Sequence, residues 1–297
     1  MLNPELLQKE HMTPGNMSCP GCGGSVAMNL ALKALGEKTM VVIPACCWAV
    51  IAGPWPQSAL KVPILHTAFA SAAVTAGGVR AGLDMRGDTE TTVMAWAGDG
   101  GTFDIGLQSL SGAADRNEDI LFVCYDNEAY MNTGVQRSSA TPYGTRTTTT
   151  PGSAWNRTRK KNIMEIMAAH RIPYAATANI AHPRDLVAKF RKAKAMRGGT
   201  RFIHIYATCP TGWGIPSEHA IRVARLATRT NLFPLYEVEG GIRYTLGPSG
   251  DTPVEEYLRV QGRFRHLSET DYAEIQAEVD RDYALLRRRA GHGPEVG

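Results

Sequence analysis

The sequence lacks the long apolar run that a membrane-spanning helix needs. Its longest apolar stretch, residues 40–55, is interrupted by Pro44, Gly53 and Pro54 and is too short to cross a bilayer. The first 16 residues, MLNPELLQKEHMTPGN, have no apolar core, so they do not resemble a signal peptide. We therefore expect a cytoplasmic protein without a membrane segment.

Net charge and cysteine are also scarce. The chain has 32 basic and 28 acidic residues and a net charge of +4, which is small for 297 residues and argues against a nucleic-acid partner. Only six cysteines are present. Because cytoplasmic cysteines rarely form structural disulfides, grouped cysteines would favour metal binding or catalysis.

Strand and helix patterns alternate along most of the chain, which predicts an α/β fold with a mostly parallel sheet covered by helices on both faces. We predict one α/β domain over residues 1–231 and a C-terminal extension over 232–297, with a hairpin around Gly240-Gly241 and two helices. Ser268 and Asp271 form a capping pattern at the start of the last helix. The predicted strands are 39–43, 91–97, 120–125, 174–177 and 201–206, and the predicted helices are 25–35, 66–83, 104–115, 163–169 and 183–195.

Asp99 lies in a glycine-rich stretch, GDGG, between a predicted strand and a predicted helix. Free N–H groups at a helix start attract phosphate, whereas a carboxylate repels phosphate unless a cation such as Mg²⁺ bridges them. The next predicted strand ends at Asp126-Asn127, about one strand–helix–strand unit further along. Asp99 and Asn127 should therefore lie side by side, although ordinary turns at two strand ends are the alternative.

Two cysteines, Cys19 and Cys22, form a CxxC motif near the N-terminus. The motif is compatible with a redox disulfide, a zinc site or an iron–sulfur site, and the residues alone do not separate zinc from iron. A redox disulfide is the weakest of these, because no strand precedes the motif. Cys124, in the middle of a predicted strand, is expected to be a buried apolar residue.

The stretch from Gly98 to Pro151, GDGGTFDIGLQSLSGAADRNEDILFVCYDNEAYMNTGVQRSSATPYGTRTTTTP, resembles the β subunit of 2-oxoacid:ferredoxin oxidoreductases, pyruvate synthase above all. The segments PLYEVEGG and PVEEYLRVQGRFRHL agree with this, so the resemblance covers nearly the whole chain. The motif also resembles the wider thiamine diphosphate motif, which runs from GDG to an Asn-Asn pair. This chain has Asp-Asn at that pair.

The resemblance implies a thiamine diphosphate-binding fold and a set of site residues. Asp99, Asn127 and the carbonyl of Ala129 would hold Mg²⁺. Asn132 and His66 are the candidates for catalytic residues, although His66 could equally be a capping or packing residue. The residues implied to bind the cofactor are Gly98, Asp99, Gly100, Gly101, Asn127, Ala129, Asn132 and Thr133.

The resemblance also implies one [4Fe–4S] cluster held by four cysteines. Adjacent residues of an extended chain point to opposite faces, so only one of Cys46 and Cys47 is expected to be a ligand, and the resemblance selects Cys47. The implied ligands are Cys19, Cys22, Cys47 and Cys209.

The implied activity is oxidative decarboxylation of pyruvate with coenzyme A and ferredoxin, or the reverse synthesis. The implied partners are α-, γ- and ferredoxin-like δ-type subunits, of which the α-type supplies the glutamate that activates the cofactor, so the chain alone should be inactive. The alternatives are oxalate, phenylglyoxylate or another 2-oxoacid as substrate, a non-redox thiamine enzyme, and a zinc-stabilised structural subunit. The polar segment 137–162 is expected to order around the cofactor and a partner subunit.

Overall fold

The computed structural model describes residues 10–54 and 56–291. The N-terminal stretch 1–16 is thus described only from residue 10, and the predicted domain ranges 1–231 and 232–297 extend beyond the described residues at both ends. The strands in the described part are β1 (Thr39–Pro44), β2 (Ile64–Thr67), β3 (Thr92–Gly98), β4 (Leu121–Asp126), β5 (Tyr174–Asn179), β6 (Arg201–Tyr206), β7 (Tyr236–Glu239) and β8 (Arg243–Leu246).

Within the described residues these strands form one sheet in the order β2-β1-β3-β4-β6-β5-β7-β8. The strands from β2 to β5 in that order are parallel, and β7 and β8 continue the sheet in antiparallel orientation. After β1 the chain forms β2 on one side of β1, and it then crosses over to form β3 on the other side of β1. Ligands of open α/β sheets bind at such a switch point, outside the carboxyl ends of the strands.

Helices cover both faces of the sheet, so the predicted fold class is confirmed. Helix α1 (Gly23–Leu35) packs against α6 (Pro183–Ala195) on one face, and α3 (Ala72–Met85) packs against α4 (Leu107–Asp115) on the other. The central strands β3 and β4 are buried along their whole length, as expected for parallel strands covered on both sides. The α-helices are α1 (Gly23–Leu35), α2 (Cys47–Ile51), α3 (Ala72–Met85), α4 (Leu107–Asp115), α5 (Ile163–Ala169), α6 (Pro183–Ala195), α7 (Pro210–Trp213), α8 (Ala220–Arg229), α9 (Val254–Arg259) and α10 (Glu269–Arg289).

The helix predicted over residues 66–83 is wrong at its start. His66 lies in β2, an edge strand paired with β1, and α3 begins only at Ala72. Pro63 and the branched side chains that follow it favour an extended chain. The small residues further along, from Ala68, are typical of a helix, and the prediction extended that helix too far toward the N-terminus. The short helices α2 and α7 and the longer α8 were not predicted.

The C-terminal hairpin is formed as predicted, but it belongs to the central sheet because β7 pairs with β5. Helix α10 begins with the predicted capping box, in which Ser268 and Asp271 bond each other's backbone N–H. The division of the chain at residue 231 stays a prediction. None of the helices that the structure describes has the length and apolar character needed to cross a bilayer.

Candidate active site

Four adjacent strands deliver the candidate residues to one edge of the sheet. Strands β1, β3, β4 and β6 are neighbours and run in the same direction, so their carboxyl ends stand in a row. Cys47, Asp99, Asn127 and Cys209 each follow one of these ends. The start of α1 joins the same edge, because the Gly23 N–H donates to the Thr208 carbonyl at 2.9 Å.

A cavity of about 190 Å³ lies at this edge. Its lining includes every residue predicted to bind the cofactor, together with Cys46 and Cys47. Asn132 and Thr133 form its exposed rim. His66 does not line this cavity and is exposed on the edge strand.

Three oxygen atoms meet at the inner end of the cavity. One terminal atom of the Asn127 amide, placed as Oδ1, lies 2.9 Å from Asp99 Oδ1 and 3.1 Å from the Ala129 carbonyl oxygen. Neighbouring ligands of an octahedral Mg²⁺ stand about 3 Å apart when metal–oxygen distances are 2.0–2.1 Å. The amide turned by 180° would instead donate to both oxygens. With the amide oxygen turned inward, the three oxygens stand at distances that fit a hard cation.

Asp99 is buried, and Ser138 holds its carboxylate in place. The Ser138 hydroxyl donates to Asp99 Oδ2, and the Ser138 N–H is held by Thr141 Oγ1 at 2.9 Å. Burial and then the negative charge of Asp126 raise the pKa of Asp99 well above its ordinary value. A carboxylate in such surroundings is stabilised by a cation bound to it.

The glycines after Asp99 make room for aromatic rings. A Cβ on Gly100 would lie 2.1 Å from Cε1 of Tyr130, and one on Gly101 would lie 3.3 Å from the Phe69 ring. The Tyr130 hydroxyl donates to Asp104 Oδ2 at 2.7 Å. Any larger residue at position 100 would displace the loop that carries Asn132 and Thr133.

Behind the cavity lies a buried ion cluster, which is made of Asp126, Glu128, Lys160, His204 and Arg263. Lys160 Nζ lies 2.6 Å from Asp126 Oδ2 and 2.8 Å from Glu128 Oε1. Arg263 Nη2 lies 2.6 Å from Glu128 Oε2, and His204 Nε2 lies 2.7 Å from Asp126 Oδ2. Two carboxylates thus face two permanent cations and one imidazole.

The pKa values follow from these contacts. Burial alone would raise the pKa of Asp126, but the charge of Lys160 and the hydrogen bond from His204 lower it to about 2. Burial lowers the pKa of His204, so its ring is neutral at pH 7 and its Nε2–H donates to the ionised Asp126. The cluster therefore holds the turn after β4 by charge-assisted hydrogen bonds.

The same contacts explain the backbone of Glu128, which has φ of 68°. A residue with a side chain adopts this left-handed conformation only when its surroundings compensate the cost. The Glu128 N–H donates to Asp126 Oδ1 at 2.9 Å, and its carbonyl accepts from Thr141 Oγ1 at 2.8 Å. This bend turns the Ala129 carbonyl toward Asn127.

The four predicted ligand cysteines come together at the same edge. Burial and then the nearby thiols of Cys46, Cys209 and Cys22 raise the pKa of Cys47 to about 12. Burial also raises the pKa of Cys209 to about 11, with Cys22 and Cys19 among the contributing neighbours. The backbone agrees with this placement, because the Cys22 N–H donates to the Cys19 carbonyl at 3.1 Å and Gly23 joins the motif to Thr208, the residue before Cys209.

Cys46 differs from Cys47 in its surroundings. It is half-buried, burial raises its pKa, and a hydrogen bond to Tyr125 acts against that rise. The choice of Cys47 rather than Cys46 as a ligand stays a prediction. The remaining cysteine, Cys124, is buried in β4 among apolar side chains.

No three His, Cys, Asp or Glu side chains within residues 10–54 and 56–291 lie close enough to hold a single metal ion. Four thiolates are the ligand set of structural zinc as well as of a [4Fe–4S] cluster.

Some of the buried polar atoms without a hydrogen-bond partner in the described chain belong to residues beside these cysteines. They are Ser25 Oγ, Trp48 Nε1, Thr208 Oγ1 and Arg263 Nη1. Ser25, Trp48 and Thr208 stand within three positions of a predicted ligand cysteine, and Arg263 stacks on Trp213 in the helix after Cys209. Other such atoms, among them Trp96 Nε1 and His182 Nε2, lie elsewhere.

The cysteine region and the oxygen site are bonded to each other. Trp213, in the helix after Cys209, donates from Nε1 to the Asn127 carbonyl at 2.8 Å. The guanidinium group of Arg263 lies over the face of this indole, 3.9 Å from the ring centroid. Met131 of the cavity packs beside Cys209, since a Cβ on Gly212 would lie 2.2 Å from the Met131 sulfur and 3.3 Å from Cys209 Sγ.

The segment 137–162 is described along its whole length, and its ordering around a cofactor and a partner subunit stays a prediction. Asn156 Nδ2 donates to the carbonyls of Thr141, Pro142 and Thr158 at 2.9 Å. The segment also supplies Ser138 and Lys160 to the site. Their roles had no signal in the sequence, because serine and lysine in a polar stretch are typical of a solvated loop.

A second cavity, of about 280 Å³, lies between α10 and the sheet. Glu128, Lys160 and His204 line its inner end, but these groups are already paired with one another or with Asp126. It shares no lining residue with the first cavity and contains none of the cysteines. We therefore place the candidate active site in the smaller cavity.

The comparisons with known proteins agree on the fold and the family. The thiamine pyrophosphate enzyme family, through its C-terminal TPP binding domain, matches residues 48–205. The chain is 46% identical over 294 residues to the ketoisovalerate oxidoreductase subunit VorB of Pyrococcus horikoshii, covering 95% of this chain and 94% of that protein. It is 49% identical over 277 residues to the pyruvate synthase subunit PorB of Methanothermobacter marburgensis, covering 92% and 96%.

A solved structure supports the fold independently. It is the 2-oxoglutarate:ferredoxin oxidoreductase from Magnetococcus marinus with 2-oxoglutarate, coenzyme A and succinyl-CoA bound. It aligns with a TM-score of 0.59 at 22% identity, over 94% of this chain and 97% of that chain. At this level of identity the likeness concerns the fold alone.

The buried ion cluster predicts a strong stability effect at Lys160. Changing Lys160 to Met should lower the free energy of unfolding of the full chain by at least about 3 kcal/mol, because it leaves Asp126 and Glu128 buried and partly unpaired. Changing the neighbouring Lys161, whose side chain is one-third exposed, to Met should cost about 1 kcal/mol. Urea unfolding measures both, and equal losses would contradict the role given to the cluster.

Proposed function

This chain belongs to the thiamine diphosphate-binding β subunits of the 2-oxoacid:ferredoxin oxidoreductases, and on that premise we propose that it serves a pyruvate synthase. The enzyme would oxidatively decarboxylate pyruvate with coenzyme A, or run the reverse synthesis, in the cytoplasm. A branched 2-oxoacid is the second candidate substrate, because a relative named for ketoisovalerate is 46% identical. Oxalate, phenylglyoxylate and other 2-oxoacids are the remaining alternatives.

One observation carries the proposal: the oxygen site and the four cysteines lie side by side at the carboxyl edge of one sheet. A thiamine enzyme without redox chemistry needs only the first of these groups. A structural subunit stabilised by zinc needs only the second. Their direct link through the Trp213 hydrogen bond to Asn127 supports a single function for both.

The oxygen site would hold Mg²⁺ through Asp99, the Asn127 side chain and the Ala129 carbonyl. Hard oxygen ligands and the distances among them fit this ion. The ion would in turn fix the diphosphate group of the cofactor, with the backbone of Gly98, Gly100 and Gly101 beside it. Thiamine diphosphate, when bound, supplies the electron sink that decarboxylation of a 2-oxoacid requires.

Asn132 and Thr133 lie at the rim of the cavity, where they would contact the cofactor or the substrate, and Asn132 is our candidate catalytic residue. We assign no catalytic role to His66, because it lies outside the cavity lining. The residues that line the cavity include Asp99 as their one carboxylate, and the cation would occupy it. A partner subunit of the α type would therefore supply the acid–base group.

The four cysteines would hold a [4Fe–4S] cluster through their thiolates. Cys19, Cys22, Cys47 and Cys209 support this assignment by their number and by the unpaired donor of Trp48 beside them. The cluster, when present, accepts electrons one at a time. We propose that γ- and δ-type subunits complete the complex and pass these electrons to a ferredoxin.

Changing Asp99 to Asn should weaken the binding of thiamine diphosphate with Mg²⁺ by at least about 100-fold, because outer-shell changes alone typically cost 10–100-fold. Isothermal titration of the cofactor-free complex measures the dissociation constant. Asp115→Asn, at an exposed helix end, is the control and should bind normally. An unchanged dissociation constant in the Asp99 variant would sink the assignment of the oxygen site.

The adjacent cysteines give a paired test of the cluster. Anaerobically purified chain should contain about four iron and four acid-labile sulfide atoms per chain. Cys47→Ser should lose the iron and the EPR signal of the reduced cluster, whereas Cys46→Ser should keep both. Zinc without sulfide would overturn the electron-transfer part of the proposal.

Substrate choice can be read from dye reduction. The complex isolated through a tag on this chain should reduce a viologen dye with pyruvate and coenzyme A, roughly tenfold faster than with 2-ketoisovalerate, the difference that a few methyl groups can give. The chain alone should show no activity. A preference for 2-ketoisovalerate would select the second candidate, and activity without coenzyme A would count against both.

A further inference from the structure

Trp48 is a buried donor without an acceptor, next to a ligand cysteine. It follows Cys47 at the start of α2, and its side chain is completely buried. Its Nε1–H makes no hydrogen bond within the described chain. An indole N–H can only donate, and a donor left buried and unpaired loses its hydrogen bonds to water without replacement.

The indole nitrogen also lies close to a second ligand cysteine. The position that a Cβ on Gly24 would take lies 3.5 Å from Trp48 Nε1 and 3.6 Å from Cys22 Sγ. Trp48 Nε1 and Cys22 Sγ thus flank the same point beside Gly24, and the ring itself belongs to the residue after Cys47. Sulfur is the acceptor that this space would provide once the cysteines hold their cluster.

The other unpaired atoms around the cysteines have alternatives. The hydroxyls of Ser25 and Thr208 rotate freely and also accept hydrogen bonds. Arg263 already binds Glu128 and Tyr257 through Nη2. Trp48 has one donor in a rigid ring that is packed against Trp96, with the ring centroids 6.3 Å apart.

We propose that the indole N–H of Trp48 donates a hydrogen bond to a sulfur atom of the [4Fe–4S] cluster and thereby raises the reduction potential of the cluster. The acceptor is a ligand thiolate or an inorganic sulfide. Reduction adds negative charge to the sulfurs, so a donor stabilises the reduced cluster more than the oxidised one. The inference rests on the proposed function, because it requires the cluster.

The conservative change Trp48→Phe keeps an aromatic ring and removes the N–H. In an EPR-monitored redox titration of the anaerobic complex, the variant should show a lower midpoint potential with unchanged iron and sulfide content. Trp96→Phe is the matched control: Trp96 is also completely buried and its Nε1 is also unpaired, but its ring stacks on Tyr125. The control should leave the midpoint potential unchanged.

A direct readout follows from labelling the tryptophan indole nitrogens with ¹⁵N. Pulsed EPR of the reduced cluster should show a ¹⁵N coupling that persists in Trp96→Phe and is lost in Trp48→Phe. The same midpoint potential and coupling in Trp48→Phe as in the unaltered chain would overturn the inference while leaving the proposed function intact. If Trp48→Phe fails to assemble, the absence of any ¹⁵N coupling in the unaltered chain would overturn it as well. A chain without iron and sulfide would instead refute the proposed function itself.

Discussion

The buried ion cluster is the constraint on which the site depends. Burying a carboxylate costs several kcal/mol unless a cation and hydrogen bonds compensate it, and here two carboxylates are buried on one short turn. The turn can exist only where Lys160 and Arg263 meet it. Asn127 and Ala129 sit in that turn, so their positions follow from ion pairs in which neither takes part.

The two cations, Lys160 and Arg263, come from parts of the chain that the sequence did not connect with the site. Lys160 belongs to the polar segment between β4 and α5, and Arg263 belongs to the C-terminal extension between α9 and α10. Both the extension and the polar segment therefore support the candidate active site. Ser138, from the same segment, completes this support by fixing Asp99.

The sequence could predict the parts of the site that depend on local pattern and strand order. Parallel neighbours bring their carboxyl ends together, so the spacing of Asp99 and Asn127 was enough to place them side by side. The ion cluster could not be predicted from the sequence, because its five members span residues 126–263. Only tertiary packing shows which lysine or arginine meets which carboxylate. His66 was misplaced because small residues favoured a helix where Pro63 and strand pairing impose an extended edge.

The Trp213 hydrogen bond to Asn127 has a consequence for how the protein would lose activity when it is damaged. The indole that supports the metal-binding turn belongs to the helix that begins directly after Cys209, so the two sites share one piece of backbone. Under the proposed function, oxygen that destroys the cluster would release Cys209 and remove that support from Asn127. Loss of the cluster would then also inactivate the site where decarboxylation takes place. A subunit damaged by oxygen would stop decarboxylating 2-oxoacid whose electrons it could no longer accept.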